Sequence, residues 1–140
     1  MVGRLLVHTL VMPLGALVLK ATVARVFAPQ AAPADYAARA AIPLVLRPAA
    51  FLANARDVAG LKPFVTRQAP RYGEIAAPVT IIVGDRDTTV SPRIHSQALA
   101  RAIPHARLVM LPGVGHMPHH VAPDVVAAEV ERMASSVLRA

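Results

Sequence analysis

The amino-acid sequence predicts an α/β fold: two parallel strands with flanking helices over residues 76–140, preceded by an all-helical, lid-like segment over residues 1–75. Three observations lead there. Before residue 76 the apolar runs have helical spacing, are broken by prolines (Pro13, Pro29, Pro33, Pro43, Pro48, Pro63, Pro70) and contain no clean strand. After it the order becomes strand, helix, strand, helix with short connections, the pattern of adjacent parallel strands joined by a right-handed crossover. The first strand, PVTIIV (78–83), is a short apolar, β-branched run, as suits a strand covered on both faces of a parallel sheet.

Each element has its own signal. The apolar run from Leu5 to Leu19 follows Arg4 and leads into small residues, the order found in a signal peptide. It is shorter than the ~20 residues that span a bilayer, and His8, Pro13 and Gly15 interrupt it. Buried or lid helices joined at a Pro/Gly bend give the same pattern and are the expectation. RPAAFLANARDVAGLK reads as a helix opening near Pro48, with Phe51, Leu52, Ala55, Val58 and Leu61 on one face and Gly60 just before its end. PFVTRQAPRYGEI reads as a short helix followed by an approach loop. In SPRIHSQALARAIP, Ser91 is placed as the N-cap and Pro92 as the first helical residue, with Ile94, Ala98, Leu99 and Ala102 on one face. RLVML (107–111) is the second strand. APDVVAAEVERMASSVL opens at Pro123 and Asp124 and lines up Val126, Val130, Met133 and Val137 at helical spacing.

Composition removes several classes of function. Hydrophobic residues make up 55% of the chain, enough for a core, but with no Trp, three Phe and two Tyr that core has to come from Leu, Val, Ile, Met and Ala. The absence of Cys excludes disulfides, thiolate catalysis and Cys-ligated zinc or iron–sulfur sites. The net charge of +7 comes almost wholly from arginines. They stand singly (Arg25, Arg39, Arg56, Arg71, Arg86, Arg101) without interleaved aromatics, so no nucleic-acid partner is expected.

The chemistry lies in two stretches that follow the two strands. GDRDTTV comes directly after the first strand, and PGVGHMP, within VMLPGVGHMPHHVAPD (109–124), directly after the second. Parallel strands place their carboxyl ends along one edge of the sheet, where ligands bind. Asp85 or Asp87 therefore emerges beside His116. Gly84 lets the chain turn sharply off the strand, while Gly113 and Gly115 are free to take backbone angles barred to other residues. A carboxylate on one imidazole nitrogen fixes the tautomer and leaves the other nitrogen as a base. A metal reading of His116, His119 and His120 is weaker. Helical metal pairs set histidines four apart, and here Pro118 interrupts the segment with no acidic residue before Asp124. No metal is expected, and His119 and His120 are assigned to the loop lining or to solvent.

From about Ile75 to Leu138 these features together resemble the C-terminal part of an α/β-hydrolase. That family follows a strand with Gly-x-x-Asp, then a helix, a strand, Gly-x-Gly-His and a helix. Gly84-Asp85-Arg86-Asp87 and Gly113-Val114-Gly115-His116 match it, with IPHARLVMLPGVGH between acid and base also typical. The resemblance implies Asp87 as triad acid and His116 as general base, with Asp85 in a variable position facing solvent or Arg86. The first 75 residues resemble, more weakly, the helical lid inserted ahead of these strands. The implied activity is hydrolysis of a small or medium apolar ester or related carbonyl compound by a Ser-His-Asp mechanism, on a small-molecule substrate and without a cofactor. A cytoplasmic location is expected, with membrane association through residues 5–27 as the alternative.

The family's nucleophile sits on a Gly-x-Ser-x-Gly elbow, and none occurs in this sequence. The serines are Ser91, Ser96, Ser135 and Ser136, none flanked by glycines, and no Gly-x-Asp-x-Gly replaces them. The expectation is the C-terminal part of a longer hydrolase from which the nucleophile-bearing part is missing. The alternative is a non-catalytic fragment or interaction module that self-associates through an exposed strand edge.

Overall fold

A computed structural model describes Thr9 and residues 12–139. In chain order the helices and strands are α1 (Met12–Phe27), α2 (Tyr36–Arg39), α3 (Pro48–Gln68), β1 (Thr80–Gly84), α4 (Ser96–Ala102), β2 (Arg107–Leu111), α5 (Pro118–Val121) and α6 (Pro123–Val137). Short 3-10 turns at Ile42–Leu46 and Ala69–Glu74 follow α2 and α3. The chain forms two compact units. One holds α1 up to Arg25 together with Ala32–Arg67; the other holds Val26–Ala31 together with the chain from Gln68 onward.

The first unit is helical, as its sequence predicts, but its helices differ in extent. Of the run Leu5–Leu19, residues 5–8 and 10–11 lie outside the described residues, as does Arg4. From Met12 the chain is one continuous helix through Pro13 and Gly15 to Phe27; the helix expected ahead of the Pro/Gly bend lies largely outside the described residues. Gly15 is a point of close approach, because a Cβ there would meet the Leu46 side chain at 2.8 Å. Of the two expectations, a buried or a lid helix, burial does not hold, since Leu14, Leu17 and Val18 are exposed. Among the described residues no helix is long and apolar enough to cross a membrane.

α3 also overruns its expected end. It passes Gly60 and Pro63 and stops at Gln68. A helical glycine weakens a helix by about 1 kcal/mol relative to alanine but does not end it, and Pro63 deprives only the Ala59 carbonyl of its helical donor. The expected apolar face is half-buried at Phe51 and Leu52 and exposed from Ala55 through Val58 to Leu61.

In the second unit β1 and β2 form a two-stranded parallel sheet, paired from Thr80 opposite Arg107 to Gly84 opposite Leu111. β2 occupies the residues predicted for it. In β1 only Val83 and Gly84 are buried, and Thr80 to Ile82 are half-buried. Burial on both faces needs flanking strands and layers that two strands cannot supply by themselves. The buried apolar core consists of Phe27, Val83, Ile103, Leu111, Val114 and Met117.

The crossover helix starts later than its sequence suggests. Ser91 caps nothing with its side chain; its carbonyl accepts the N–H groups of Ile94 (3.2 Å) and His95 (3.0 Å) in a turn, and α4 begins at Ser96. Ile94, expected inward, is 60% exposed, and Ile103 at 2% anchors the helix from its other end. α6 has its predicted bounds but a different inner face. Val126 and Met133 are half-buried, Val130 and Val137 are exposed, and the most buried residue is Glu129.

Charge explains that inversion. The Arg107 guanidinium donates to both Glu129 oxygens, Nη2 to Oε1 at 2.9 Å and Nε to Oε2 at 3.0 Å. Arg132 Nε donates to Oε2 at 2.8 Å, and Arg132 Nη2 reaches Thr80 Oγ1 at 2.9 Å. Glu129 thus ties α6 to the start of β2, and Arg132, which it holds, ties the helix to the start of β1. Hydrogen bonds from Arg107 and then Arg132 hold the Glu129 carboxyl down to about 2, against a slight upward push from burial.

The sign of the consequence follows. Because the folded value lies below the ordinary carboxylate value, the ionised form favours the fold. Glu129 therefore contributes its full share above pH about 4.5 and loses it as the pH falls toward 2. Glu129→Gln should lower the urea midpoint most at pH 6, and the gap to the wild-type chain should narrow at pH 3. A gap of constant size across that range would show that the two arginines do not hold this group ionised.

Candidate active site

The two strand ends feed two loops that run side by side. Asp85 N–H donates to Leu111 O (3.0 Å) one step past the sheet, and Arg86 N–H donates to Val114 O (2.9 Å). So close an approach dictates glycine. A Cβ on Gly84 would overlap the carbonyl oxygens of Val114 and Gly115, and one on Gly115 would overlap the carbonyl oxygen of Ala28. Among the described glycines only Gly113 takes the left-handed conformation, at φ 73°. Gly113 is thus needed for its backbone angle, as expected, whereas Gly84 and Gly115 are needed for room.

Asp87 ends up nearly enclosed, its side chain 5% exposed. Its Oδ1 accepts the N–H groups of Thr89 and Val90, both at 2.8 Å. These bonds lock the carboxylate by a local turn of its own loop. That leaves Oδ2 for His116, whose Nδ1 lies 2.8 Å away. Burial pushes the Asp87 carboxyl up, but the Val90 N–H, the His116 imidazole and the Thr89 N–H together outweigh it, and the net shift is downward. An ionised carboxylate only accepts hydrogen bonds, so Nδ1 is the donor, and in the neutral ring that tautomer leaves the lone pair on Nε2. The His116 side chain is 32% exposed, leaving the ring partly open to solvent.

The sequence leaves Asp85 and Asp87 as alternatives for the histidine's partner, and the geometry separates them. Asp87 meets His116. Asp85, instead of turning to Arg86, accepts the Gly113 N–H at 2.7 Å and so braces the histidine loop from the β1 side. A third group there is unannounced in the sequence: Gln30 donates from Nε2 to Gly113 O at 2.7 Å and accepts the Gly115 N–H at 3.0 Å. No local pattern marks it, because it lies 83 residues from Gly113 along the chain.

His119 and His120 lie on α5, their rings tilted against each other with centroids 4.5 Å apart. His120 also faces the buried Phe27 ring at 5.6 Å. Burial first, then the neighbouring His120 and His116, lowers the His119 pKa. Among the described residues no group of three or more His, Asp or Glu side chains is placed to hold a metal. Ser96 opens α4, while Ser135 and Ser136 lie within α6, where Ser136 Oγ donates to Met133 O at 2.7 Å.

A parallel βαβα unit with an acid and a histidine at its carboxyl edge defines a protein of the α/β-hydrolase class. Comparison with known families agrees: the model of the alpha/beta hydrolase family matches residues 2–129, and the chain belongs to that family. Among curated proteins, “Putative non-heme bromoperoxidase BpoC” of Mycobacterium tuberculosis is similar, in the strain CDC 1551 / Oshkosh and in the strain ATCC 25618 / H37Rv alike. Each is 32% identical over 72 residues, which is 51% of this chain. The matched segment spans only 27% of the length of those relatives. No solved structure matches the chain.

Two measurements check this geometry. Gly84→Ala should destabilise the second unit by about 1–3 kcal/mol in chemical denaturation, since backbone oxygens cannot move aside as a flexible side chain would. Unchanged stability would mean that the two loops lie farther apart. In a carbon-detected titration, the Asp87 carboxyl should ionise below its ordinary value of 3.8. His116→Ala should move that transition upward, with the Thr89 and Val90 N–H groups still in place; a transition indifferent to His116 would break the pair.

Proposed function

We propose that this chain carries the acid and base of an α/β-hydrolase acting on a carboxylic ester or related carbonyl compound, with the nucleophile supplied by residues other than these 140. The observation that carries the reading is the 2.8 Å contact between Asp87 Oδ2 and His116 Nδ1, with Oδ1 already engaged by two backbone N–H groups. A carboxylate so restrained orients the ring and stabilises its cation without taking the proton itself.

The chemistry runs as follows. His116 Nε2 takes the proton of a hydroxyl as that oxygen attacks the ester carbonyl, then gives it to the departing alkoxide. In the second half Nε2 deprotonates water, hydroxide attacks the acyl-enzyme, and the proton returns to the nucleophile. Asp87 stays ionised throughout. Residues 1–75 are read as a lid-like segment, a small or medium apolar ester or related carbonyl compound as the substrate, and the cytoplasm as the place of action.

The test joins the 140 residues behind a family member's strand–Gly-x-Ser-x-Gly–helix segment and follows hydrolysis of a nitrophenyl ester. His116→Ala should cut kcat by at least ~10³-fold and Asp87→Asn by ~10⁴-fold, because the amide favours the wrong tautomer. Turnover that survives both substitutions would remove these residues from the chemistry. Turnover by the 140 residues alone, lost on His116→Ala, would place the nucleophile inside this chain. The rival is a module that binds without catalysis: the β1 edge away from β2 has no partner strand among the described residues. Concentration-dependent association with no turnover in the joined protein would favour it.

A further inference from the structure

We propose that Gln30 is a positioning residue for His116, its amide clamping the Gly113–Gly115 loop on the side that β1 does not reach; this rests on the reading of His116 as general base. The loop is gripped from β1 by Asp85 at the Gly113 N–H and by Arg86 at the Val114 carbonyl. Those bonds hold one flank only. Gly113 O and Gly115 N–H point the other way, and both are taken by Gln30, at 2.7 Å and 3.0 Å.

The match is specific to a primary amide. Gly113 O requires a donor and Gly115 N–H an acceptor, and the planar carboxamide supplies both from one rigid group. A glutamate would accept from Gly115 but set a charged oxygen against the Gly113 carbonyl. A methionine or leucine of similar length would satisfy neither. Because His116 directly follows Gly115, fixing that N–H fixes where the imidazole leaves the chain.

The clamp's own footing does not depend on its side chain. Phe27, 1% exposed, anchors the segment, Gln30 N–H donates to Phe27 O at 2.9 Å, and the Ala28 carbonyl lies against Gly115 where no Cβ fits. All of these residues belong to the same compact unit as His116. Gln30→Ala therefore removes the clamp while leaving the strut that bears it. The loop then swings about Gly113, which has the freedom to do so, and the Nδ1–H bond to Asp87 is intermittently broken.

The experiment uses the full chain, labelled for imidazole and amide NMR, and needs no substrate. The wild-type protein should show a slowly exchanging His116 Nδ1–H resonance that Asp87→Asn abolishes. Gln30→Ala should broaden or abolish it and speed exchange of the Gly115 amide about tenfold, as loss of one protecting hydrogen bond implies. Gln30→Glu, keeping the acceptor, should retain Gly115 protection with an intermediate Nδ1–H signal. If Asp87→Asn abolishes the resonance but Gln30→Ala leaves it sharp, Gln30 is no positioning residue and the proposed base stands. If Asp87→Asn leaves the resonance untouched, the acid–base reading itself falls, and this proposal with it. Loss of the strand amide signals in both Gln30→Ala and Gln30→Glu would make Gln30 a folding residue and overturn the assignment.

Discussion

The register that sets Gly84 of β1 opposite Leu111 of β2 brings two loops, far apart in sequence, to a common starting line. Everything at the site follows from it. Side chains alternate along a strand, so a slip of one residue would reverse the faces of one strand against the other and unseat either Val83 or Leu111 from its place in the core. The same slip would carry the histidine loop past the acidic one. The pairing does not stop with the strands: Asp85 N–H to Leu111 O and Arg86 N–H to Val114 O extend it into the loops. Asp87 and His116 can then meet although 29 positions separate them. Only a strand ending in glycine permits this, because the Val114 and Gly115 carbonyls occupy the space of a side chain at Gly84.

Two buried carboxylates lie at opposite ends of this small sheet, and their surroundings give them different tasks. Glu129, at the starting ends of the strands, faces two guanidinium groups that never lose their protons, and its pKa falls to about 2. A group so fully matched has little left to offer to chemistry; it fastens a helix. Asp87, at the carboxyl ends, is held by two backbone N–H groups and a single imidazole. That imidazole is the partner left partly open to solvent, its side chain 32% exposed. The downward shift at Asp87 comes from two backbone N–H groups and one imidazole that outweigh its burial, whereas the shift at Glu129 reflects a tie to two guanidinium groups.

Where the sequence spoke through local pattern, it was readable. The strands, the final helix, the succession strand, helix, strand, helix and the two glycine-flanked motifs are all local statements; from them His116 and an acid at Asp85 or Asp87 can be named, and only the family resemblance chooses Asp87. Inner faces read from apolar spacing were less reliable. Glu129 displaced Val130 from the inside of α6 because Arg107, on another element, pairs with it, and no count of apolar residues along α6 contains that arginine. Gly60 and Pro63 did not stop α3, since each removes only part of what holds a turn together. Ser91 and Pro92 have the chemistry of a helix start, yet the turn they make delays α4 to Ser96. Gln30 was beyond reach for a plainer reason: its meaning depends on the fold returning residues 26–31 to the far side of the histidine loop.

The proposed acid and base, Asp87 and His116, are assembled within one compact unit, and among the described residues their hydrogen bonds all come from inside it. That has a consequence for how the proposed chemistry is organised. Orienting an imidazole by a carboxylate means fixing two side chains and two loops, and this ordering cost is met by folding. A nucleophile brought to the carboxyl edge of the sheet then finds a base already in its tautomer and already aimed. The arriving group has to present a hydroxyl to Nε2 and little else. Such a division of labour suits a family in which nucleophile and base come from separate stretches of chain: each half is ordered by its own backbone, and only the sheet edge has to register the two.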